Sequence, residues 1–587
     1  MRRQLKPSGL TSLQVAHKPR GPMNRFAVIA AALLVRTIVP TAVFAESAGD
    51  DFPIPSFPKQ LREQWTSESI QPKPEPRAYL ESRDDTLERL SLREAVASAL
   101  QNNPGIAVER LGPEFARADV DRANGIFDPT FQASGTIERS VVPASSVLQG
   151  AQVLREKDYV YALSLKKLLR SGATFTIAGT STETNTNSRF YGLRPQYLPN
   201  LLFSVSQPLL KNFGIDLTIL LVRSAEANSS VAYYQYLSRA VALVRQVVEA
   251  YWGVVQAREN LKAEQDGLRL AQTLVRENEA RVRAGTLPPV AVKEAEADAA
   301  SREGRVITAE NAVSVASDSL RLLLQRNPEG AFVPRPIEPT DSPEVRDVTV
   351  DEQEILVDAV ERRPEVLQAR YDIENRKILA KINRNNLLPG LNVNASYGLN
   401  GLSGRGVPQT DPQTGQTVVT PFTGDYGKSL DRLASDDFNS YSGGLSFTVP
   451  LGNTTAEAEY VQSQIDLRRG ELSYRQLLAN VTLEARKAIG NVRSNSKRIT
   501  VTRLARELAE ENLEQQKKRY DVGLATTKDI LDFQQRVTAA RAAEIQALID
   551  YNVSLAALRQ AEGTLLAQFD VVVDTLPPHP TPLWARF

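Results

Sequence analysis

The most informative part of the sequence is residues 247–282, which read VVEAYWGVVQARENLKAEQDGLRLAQTLVRENEARV. Apolar residues recur there at every seventh position: Val247, Val254, Leu261, Leu268, Val275 and Val282. Alanine stands three residues after several of them, at 250, 257 and 271. A repeat of 3.5 residues keeps one side of a helix against a neighbouring helix, as in a coiled coil. The pattern predicts one helix from about Leu217 to Ala284, roughly 100 Å long at 1.5 Å per residue.

A second helix with the same repeat follows after a short break. The break is Gly285-Thr286-Leu287-Pro288-Pro289, and the apolar series then resumes at Val292, Ala299, Val306, Val313 and Leu320. Because the connection is short, the two segments are predicted to form an antiparallel helical hairpin. A globular enzyme has little use for helices of this length.

Segments with a period of two stand between the helical regions. In residues 391–399 and 441–449, apolar residues alternate with Asn, Ser, Gly or Thr. Such a strand has one apolar and one uncharged polar face, which suits a position between lipid and water. For each segment alone, a half-buried strand of a soluble sheet is the favoured interpretation, and the membrane interpretation rests on the export signal, the long helices and the loop that follows. The polar loop 401–440 would suit the external side of an outer-membrane barrel.

The first half of the chain holds more strand candidates than the second. They are Phe131 to Ile137, Tyr159 to Leu165, Ala173 to Gly179 and Leu201 to Gln207. Arg170-Ser171-Gly172 is a plausible tight turn between the middle two. We expect the additional strands to form an extracellular flap or a simple strand extension, and an extra barrel hairpin is the alternative.

The two halves share local features in the same order. Pro208-Leu209 corresponds to Pro450-Leu451, and Asn103-Pro104 corresponds to Arg363-Pro364. The sequence therefore predicts an internal duplication. The predicted divisions are a first repeat at 86–330, with strands 130–208 and a helical hairpin 215–326; a linker at 331–350; and a second repeat at 351–570, with strands 390–451 and a helical hairpin 454–568.

The two ends of the chain are predicted to differ from the repeats. Residues 1–45 combine basic residues, an apolar run and Val43-Phe44-Ala45, which is typical of a cleaved signal peptide. Residues 46–85 are Pro-rich and charged, and we expect an extended arm. Residues 571–587 form a C-terminal tail. No later run of apolar residues is long enough for a membrane-spanning helix.

The composition argues against most chemical functions. The chain has no cysteine and two histidines, His17 and His579, which lie in the leader and in the Pro-rich tail. Thiol chemistry, disulfides and His-based metal sites or triads are therefore poor interpretations. The 70 Lys and Arg residues balance 69 Asp and Glu residues, so the chain lacks the strong net positive charge that attracts nucleic acid. We predict no catalytic residue, no cofactor and no metal, and hence no enzyme.

Several strings in this order resemble the TolC-type outer-membrane efflux protein family, the outer-membrane factor of tripartite export systems. They are LSLREAVASALQNNP at 90–104, Ala250-Tyr251-Trp252, and RYDVG at 519–523 followed by DILD at 529–532. The resemblance covers roughly residues 86 to 570.

Membership in this family implies a mainly α fold with membrane β structure. The implied assembly is a homotrimer whose twelve-helix coiled-coil barrel in the periplasm is continuous with an outer-membrane β-barrel. That barrel would have twelve strands, or eighteen with an extra hairpin. The family implies a passive exit duct, gated at its periplasmic end, for efflux or secretion. Its implied partners are outer-membrane lipid, a periplasmic adaptor (membrane fusion) protein and an inner-membrane transporter.

The resemblance assigns gate roles to residues near the second helical turn. Asp529 and Asp532 match the periplasmic gate aspartates, and three copies would bring six carboxylates to a narrow, cation-attracting end. The alternative is that two acids near a helix start favour the helix dipole. Tyr520 matches the gate network, and Lys528 is a candidate substitute for a missing lock. The family's locking arginine and its aspartate partner are replaced here by Ala525 and Ala291.

The two helical turns carry a further expectation. Gly285 and Gly523 are predicted to end helices with positive φ. The resemblance implies that these turns, with Arg281 and Arg519, also dock the adaptor. A competing function for the whole chain is a non-conducting trimeric coiled-coil adhesin or periplasmic spacer. It would share the heptads and the export signal, but it would not need two similar halves with two-faced strands.

Overall fold

The computed structural model describes residues 88–146, 149–325, 337–345, 351–410 and 415–571. The predicted signal peptide and the Pro-rich arm lie outside the described residues, as do most of the linker and nearly all of the tail. The described chain divides into two compact units. Residues 126–218 and 388–451 form one unit, which holds the large sheet, and the other unit holds the long helices.

The helices are, in chain order, α1 (Leu92–Asn102), α2 (Pro104–Asn124), α3 (Ile215–Thr218), α4 (Leu220–Arg283), α5 (Val290–Leu324), α6 (Glu352–Arg362), α7 (Pro364–Asn386), α8 (Tyr426–Ala434), α9 (Thr454–Asp521), α10 (Thr527–Glu562) and α11 (Leu565–Gln568). A 3₁₀ turn covers Gly125–Phe127. The strands are β1 (Glu88–Leu90), β2 (Thr130–Pro143), β3 (Val153–Leu168), β4 (Thr174–Thr186), β5 (Leu193–Pro208), β6 (Ile337–Pro339), β7 (Gly390–Asn400), β8 (Ser403–Gly406), β9 (Gln409–Thr410), β10 (Thr417–Val418) and β11 (Asn439–Thr448).

The heptad segments form the predicted long helices. Helix α4 has 64 residues and continues into α5 after a short turn, while α9 has 68 residues and continues into α10 in the same way. The core between α4 and α5 contains Val247, Val254 and Leu320, each 0% exposed. A second core joins α6, α7, α9 and α10 and contains Val366, Val481 and Tyr551. Apolar residues of the repeat thus pack one helix against the next.

The aromatic pair on α4 has a packing role. Tyr251 is fully buried, Trp252 is 6% exposed, and their rings meet edge to face at 5.7 Å. The Tyr251 hydroxyl donates to Asp341 Oδ2 at 2.7 Å, next to the parallel pair of β1 and β6. The two side chains therefore hold α4 against the neighbouring helices and connecting strands.

The large sheet has the strand order β11-β7-β5-β4-β3-β2, and every neighbouring pair is antiparallel. All four strands predicted in the first half are present and belong to this one sheet. Strands β2 and β3 are as long as β4 and β5 and continue the same hydrogen-bonded ladder, from Thr130 opposite Lys166 to Pro143 opposite Val153. The expectation that they form an extracellular flap or a strand extension, with an extra barrel hairpin as the alternative, stays a prediction.

The sheet has two chemically different sides, because residues directly opposite each other share a face. One side, the apolar face, carries Phe131, Ala133, Gly135 and Ile137 on β2, Tyr159, Tyr161, Leu163 and Leu165 on β3, Phe175 and Ile177 on β4, Leu201, Phe203 and Val205 on β5, Leu391, Val393, Ala395, Tyr397 and Leu399 on β7, and Tyr441, Gly443, Leu445 and Phe447 on β11. Several of these side chains are exposed, including Phe131 at 60% and Leu445 at 72%. The other side, the polar face, carries mainly Ser, Thr, Asn and Gln.

The predicted external loop has a structure of its own. Leu433 of α8 covers Leu201 and Leu399 at the end of the apolar face that lies away from the β7 start. Arg432 of α8 donates to four backbone carbonyls and lies over the Phe422 ring. The accepting carbonyls belong to Leu402, Pro421, Phe422 and Thr423. We call this arrangement the Arg432 clamp. Among the described residues, no helix is long and apolar enough to cross a membrane.

Candidate functional site

The ends of the two helical hairpins, at Arg281–Pro289 and Arg519–Thr527, have closely similar backbone geometry. Gly285 has φ +75° and Gly523 has φ +78°, so both glycines adopt the left-handed conformation that the sequence predicted. The residue after each glycine donates its N–H to the carbonyl of the arginine five positions earlier: Thr286 to Arg281 at 3.0 Å, and Leu524 to Arg519 at 2.8 Å. This closes each helix with a standard left-handed cap.

The start of α10 is fixed by Asp529. The Asp529 carboxylate accepts from the Thr526 N–H and from the Thr526 hydroxyl, both at 2.8 Å, and the Asp529 N–H donates to that hydroxyl at 3.3 Å. This is a capping box, which satisfies donors at the helix start. The hydrogen bond from the Thr526 backbone, followed by that from its side chain, holds the pKa of Asp529 below its usual range, and the charges of Arg519 and Lys528 add to this effect. Asp529 therefore stays ionised.

A buried polar cluster joins the first hairpin to the second. The Tyr520 hydroxyl donates to Asn278 Oδ1 at 2.5 Å and lies 3.2 Å from the Thr527 hydroxyl. Asn278 Nδ2 donates to the Ala291 carbonyl and to the Thr527 hydroxyl, each at 3.2 Å. Asn278 is 0% exposed, and Tyr520 and Thr527 are each 4% exposed. We call these three side chains the tip cluster.

A charged contact lies beside the tip cluster. Arg281 Nη2 is 2.7 Å from Asp521 Oδ1, and Arg281 Nη1 donates to the Tyr520 carbonyl at 3.3 Å. The guanidinium also lies 4.6 Å from the centre of the Tyr520 ring. Arg281 thus holds the end of α4 to the end of α9 through three contacts.

The structure brings only some of the predicted site residues together. Tyr520 and Arg281 are in contact, and Lys528 and Asp529 lie on the first turn of α10 with Asp532 one turn later. Asp532, Lys528 and Arg519 are exposed. Within the described residues, Lys528 forms no hydrogen bond or ion pair and does not join the tip cluster.

Sequence reasoning missed Asn278, Thr526, Thr527 and Asp521. Two of them had a readable signal. Asn278 continues the alanine series of α4, seven residues after Ala271, so a polar side chain stands in a predicted helix seam. Thr526 precedes Asp529 by the three residues of a capping box. The methyl side chain of Ala291 cannot bind Tyr520, but the Ala291 backbone carbonyl accepts a hydrogen bond from Asn278 of the tip cluster.

Comparisons with known proteins agree with this architecture. The family model for outer membrane efflux proteins matches residues 216–325 and 355–564, which is more than half of the chain. The chain is 23% identical over 356 residues to outer membrane protein TolC of Vibrio cholerae, covering 59% of this chain and 73% of that protein.

Two solved structures have a similar fold. The outer membrane channel CmeC of Campylobacter jejuni superposes with a TM-score of 0.56 at 15% identity, covering 81% of this chain and 86% of CmeC. A membrane protein from Pseudomonas aeruginosa superposes with a TM-score of 0.58 at 18% identity, covering 84% and 99% of the two chains. Because the family model spans both helical hairpins, the chain belongs to the outer membrane efflux protein family.

Proposed function

We propose that this outer-membrane protein is the passive exit duct of a tripartite efflux or secretion system, gated at the ends of its helical hairpins. The observation that carries the proposal is the match of the efflux-protein family model across both hairpins, 216–325 and 355–564. The sheet with one apolar and one polar face supports the proposal of a pore wall, because in a membrane barrel the apolar face contacts lipid and the polar face contacts the water inside.

A homotrimer completes the duct in this proposal. Within the described residues, the outer edges of β2 and β11 have no partner strand, and both strands are exposed along almost their whole length. The unpaired backbone N–H and C=O groups of such edge strands can form hydrogen bonds with a strand of another chain. Pairing β2 of one copy with β11 of the next closes a ring without any free edge. An exposed apolar series on α9, including Val501, Leu504 and Leu508, supports contacts between copies along the helices.

The twelve-helix tunnel follows from the same symmetry. Each copy supplies the four helices of its two hairpins, α4, α5, α9 and α10, so three copies give twelve. The element order in each half, two helices split at Asn103-Pro104 or Arg363-Pro364, then strands, then a long hairpin, supports an internal duplication. Similar halves would let each copy contribute two near-equivalent sectors of the tunnel wall.

The closed gate is formed by the tip cluster and by the acids of α10. The tip cluster holds the first hairpin to the second where the family's usual lock is replaced by Ala525 and Ala291. A ring of Asp529 and Asp532 from three copies would attract cations at the narrow end. Asp529 serves both the helix cap and the ring, because its ionised form is what the cap stabilises.

Partner proteins bind at the same end in this proposal. Val522 and Leu524 in the second turn are 70% and 69% exposed, and Val290 at the first turn is 60% exposed. Exposed apolar residues at a tip are typical of a protein contact. We assign this contact to the periplasmic adaptor, which links the duct to the inner-membrane transporter that supplies the energy.

Single-channel recording in a planar lipid bilayer tests the proposal. The purified protein is expected to give small, long-lived steps that prefer cations. Replacing both acids, Asp529→Asn with Asp532→Asn, should reduce the cation preference and weaken block by multivalent cations. Glu459→Gln, near the opposite end of α9, is the matched control and should change neither property.

Two results would contradict the proposal. Unchanged ion selectivity in the double variant would remove the gate role of the acids. Folded trimers that never conduct, even after the tip cluster is disrupted by Tyr520→Phe, would favour the non-conducting coiled-coil spacer instead.

A further inference from the structure

We propose that the additional hairpin, β2 and β3, forms part of the membrane wall, so that the assembly encloses an eighteen-stranded barrel rather than a twelve-stranded one. The inference rests on the threefold assembly proposed above, because three copies of the six strands in the order β11-β7-β5-β4-β3-β2 give eighteen. It concerns the width of the pore and not the gate.

The hairpin is long enough to cross a membrane. Strands β2 and β3 have 14 and 16 residues, whereas about 9–11 residues of a tilted strand span a bilayer. The turn between β3 and β4 contains Ser171, and the segment after the end of β5 contains Gly214. The Gly214 N–H donates to the Ser171 carbonyl at 3.3 Å, so the turn lies at the same end of the sheet as the end of β5. The hairpin therefore runs the full height of the sheet.

The hairpin continues the apolar face with the width that lipid requires. On β3 the apolar series from Tyr159 to Leu165 is bounded on the same face by Lys157 and Lys167. These lysines are ten residues apart, or about 33 Å along the strand at roughly 3.3 Å per residue. At a tilt of about 45°, that distance spans about 23 Å of membrane, close to the roughly 25 Å apolar band of outer-membrane barrels.

The apolar band crosses the sheet obliquely, as the tilt of a barrel demands. Directly opposite residues can be followed across the sheet from Ser134, which is the middle of the apolar series of β2. This row passes through β3, β4 and β5 to Asn400 of β7 and then to Phe438, next to the start of β11. The middle of the β11 series is Gly444, about six residues or roughly 20 Å further along. The row crosses five strand spacings of about 4.8 Å, or roughly 24 Å.

These two lengths give the strand tilt. A band that shifts by about 20 Å over about 24 Å becomes level with a membrane when the strands tilt by about 40°, which lies within the 35–45° typical of barrels. The β2–β3 hairpin obeys this geometry with the rest of the sheet. A hairpin immersed in water would have no physical reason to carry a band of this width and position.

The opposite face of the hairpin suits a water-filled interior. Gln132, Ser134 and Thr136 of β2 lie on the polar face, and the β3 residues there are Ser164, Ala162, Val160 and Asp158, of which two are polar and two small or apolar. Barrel diameter grows roughly linearly with strand number. Eighteen strands should therefore give a diameter about one and a half times that of twelve, and the membrane section would admit wider cargo than a twelve-stranded duct.

Cysteine accessibility tests the placement of the hairpin, and the natural chain offers a clean background because it has no cysteine. Leu163→Cys on the apolar face and Ser164→Cys on the polar face are neighbours on β3. In outer-membrane vesicles, a charged, water-soluble thiol reagent should modify Ser164→Cys and spare Leu163→Cys. A lipid-soluble maleimide should label Leu163→Cys.

A matched pair on β7 separates this inference from the proposed function. Ala395→Cys and Ser396→Cys should show the same difference in reactivity. If the β7 pair differs but Leu163→Cys reacts with the charged reagent as fast as Ser164→Cys, the hairpin lies in water and the inference is overturned. If Ala395→Cys also reacts as fast as Ser396→Cys, the sheet is not a membrane wall and the proposed function itself fails.

Electron cryomicroscopy of the purified assembly gives a second, independent readout. Eighteen strands in one closed wall would support the inference. A closed wall of twelve strands, with β2 and β3 outside it, would overturn the inference and leave the exit duct in place.

Discussion

Asn278 is the residue on which the contact between the two hairpins depends most directly. Its amide forms hydrogen bonds with the Tyr520 hydroxyl, the Thr527 hydroxyl and the Ala291 carbonyl, and all four residues are buried. A buried polar group that loses its partner costs about 1–3 kcal/mol. The tip cluster therefore stabilises one arrangement of the hairpins without using a buried charge.

Removing either partner of the Asn278–Tyr520 hydrogen bond should open the proposed gate more often. We expect Asn278→Ala and Tyr520→Phe each to raise the open probability in planar bilayers, and the double variant to raise it by less than the two separate effects added together. Such non-additivity is the signature of a direct contact. Tyr474→Phe is the control, because this α9 tyrosine accepts from Arg370 far from the tip. Additive effects would show that the two residues act separately.

The Thr526 cap gives Asp529, one of the proposed gate acids, a pH dependence with a definite sign. The folded-state pKa of Asp529 is lowered from its ordinary value of 3.8, so the stabilising cap is present above that value and is lost as pH falls through the lowered pKa. Thr526→Ala removes the hydroxyl but keeps the backbone donor. The measurement compares Asp532→Asn alone with Asp532→Asn combined with Thr526→Ala. As the pH is lowered, cation selectivity should disappear at a higher pH in the combined variant. Identical pH profiles would contradict the role of the cap.

At the scale of helices and strands, the period of the sequence is a strong guide. The seven-residue repeat predicts α4 and α5 closely, because it records which side of each helix is buried. Alternation likewise predicts the strands of both halves. The placement of β2 and β3 could not be predicted, because alternation describes one strand and not its neighbour in the sheet. Only the paired register shows that the apolar faces of six strands are continuous.

The tip could be predicted only in part for a similar reason. Gly285, Gly523 and Asp529 are readable because a cap depends on residues close together in the chain. The pairing of Asn278 with Tyr520 joins residues 242 positions apart, and no local pattern specifies it. Lys528 is adjacent to the site in sequence, but its exposed side chain does not reach the cluster.

Burial within α5 provides a direct test of the helical core. Leu320 is 0% exposed and packs in the core with α4, whereas Leu322, two residues later, is 61% exposed. Leu320→Ala should destabilise the helical unit by about 2–5 kcal/mol, since it leaves a cavity. Leu322→Ala should change stability by less than about 0.5 kcal/mol. Urea unfolding followed by circular dichroism compares the two, and equal losses would contradict the packing described.

At the scale of the whole molecule, the assembly should depend on the described sheet and helices and not on the N-terminal arm. In the proposed trimer, the exposed edges of β2 and β11 and the apolar series of α9 would supply the contacts between copies. We expect trimers to survive the removal of residues 46–85, as measured by native mass spectrometry in detergent. Loss of trimers after this truncation would assign the arm a structural role in assembly.

If the loop 401–440 lies on the external side of the membrane, as the sequence predicts, the Arg432 clamp has a consequence for recognition at that surface. One side chain gathers carbonyls from Leu402 and from residues 421–423, so a segment with little regular structure is held in one shape. Binding normally costs free energy to order flexible loops. An antibody or a bacteriophage protein that contacts this segment would bind a preformed epitope. Its affinity should fall strongly after Arg432→Ala, although this variant leaves most surface residues of the epitope unchanged.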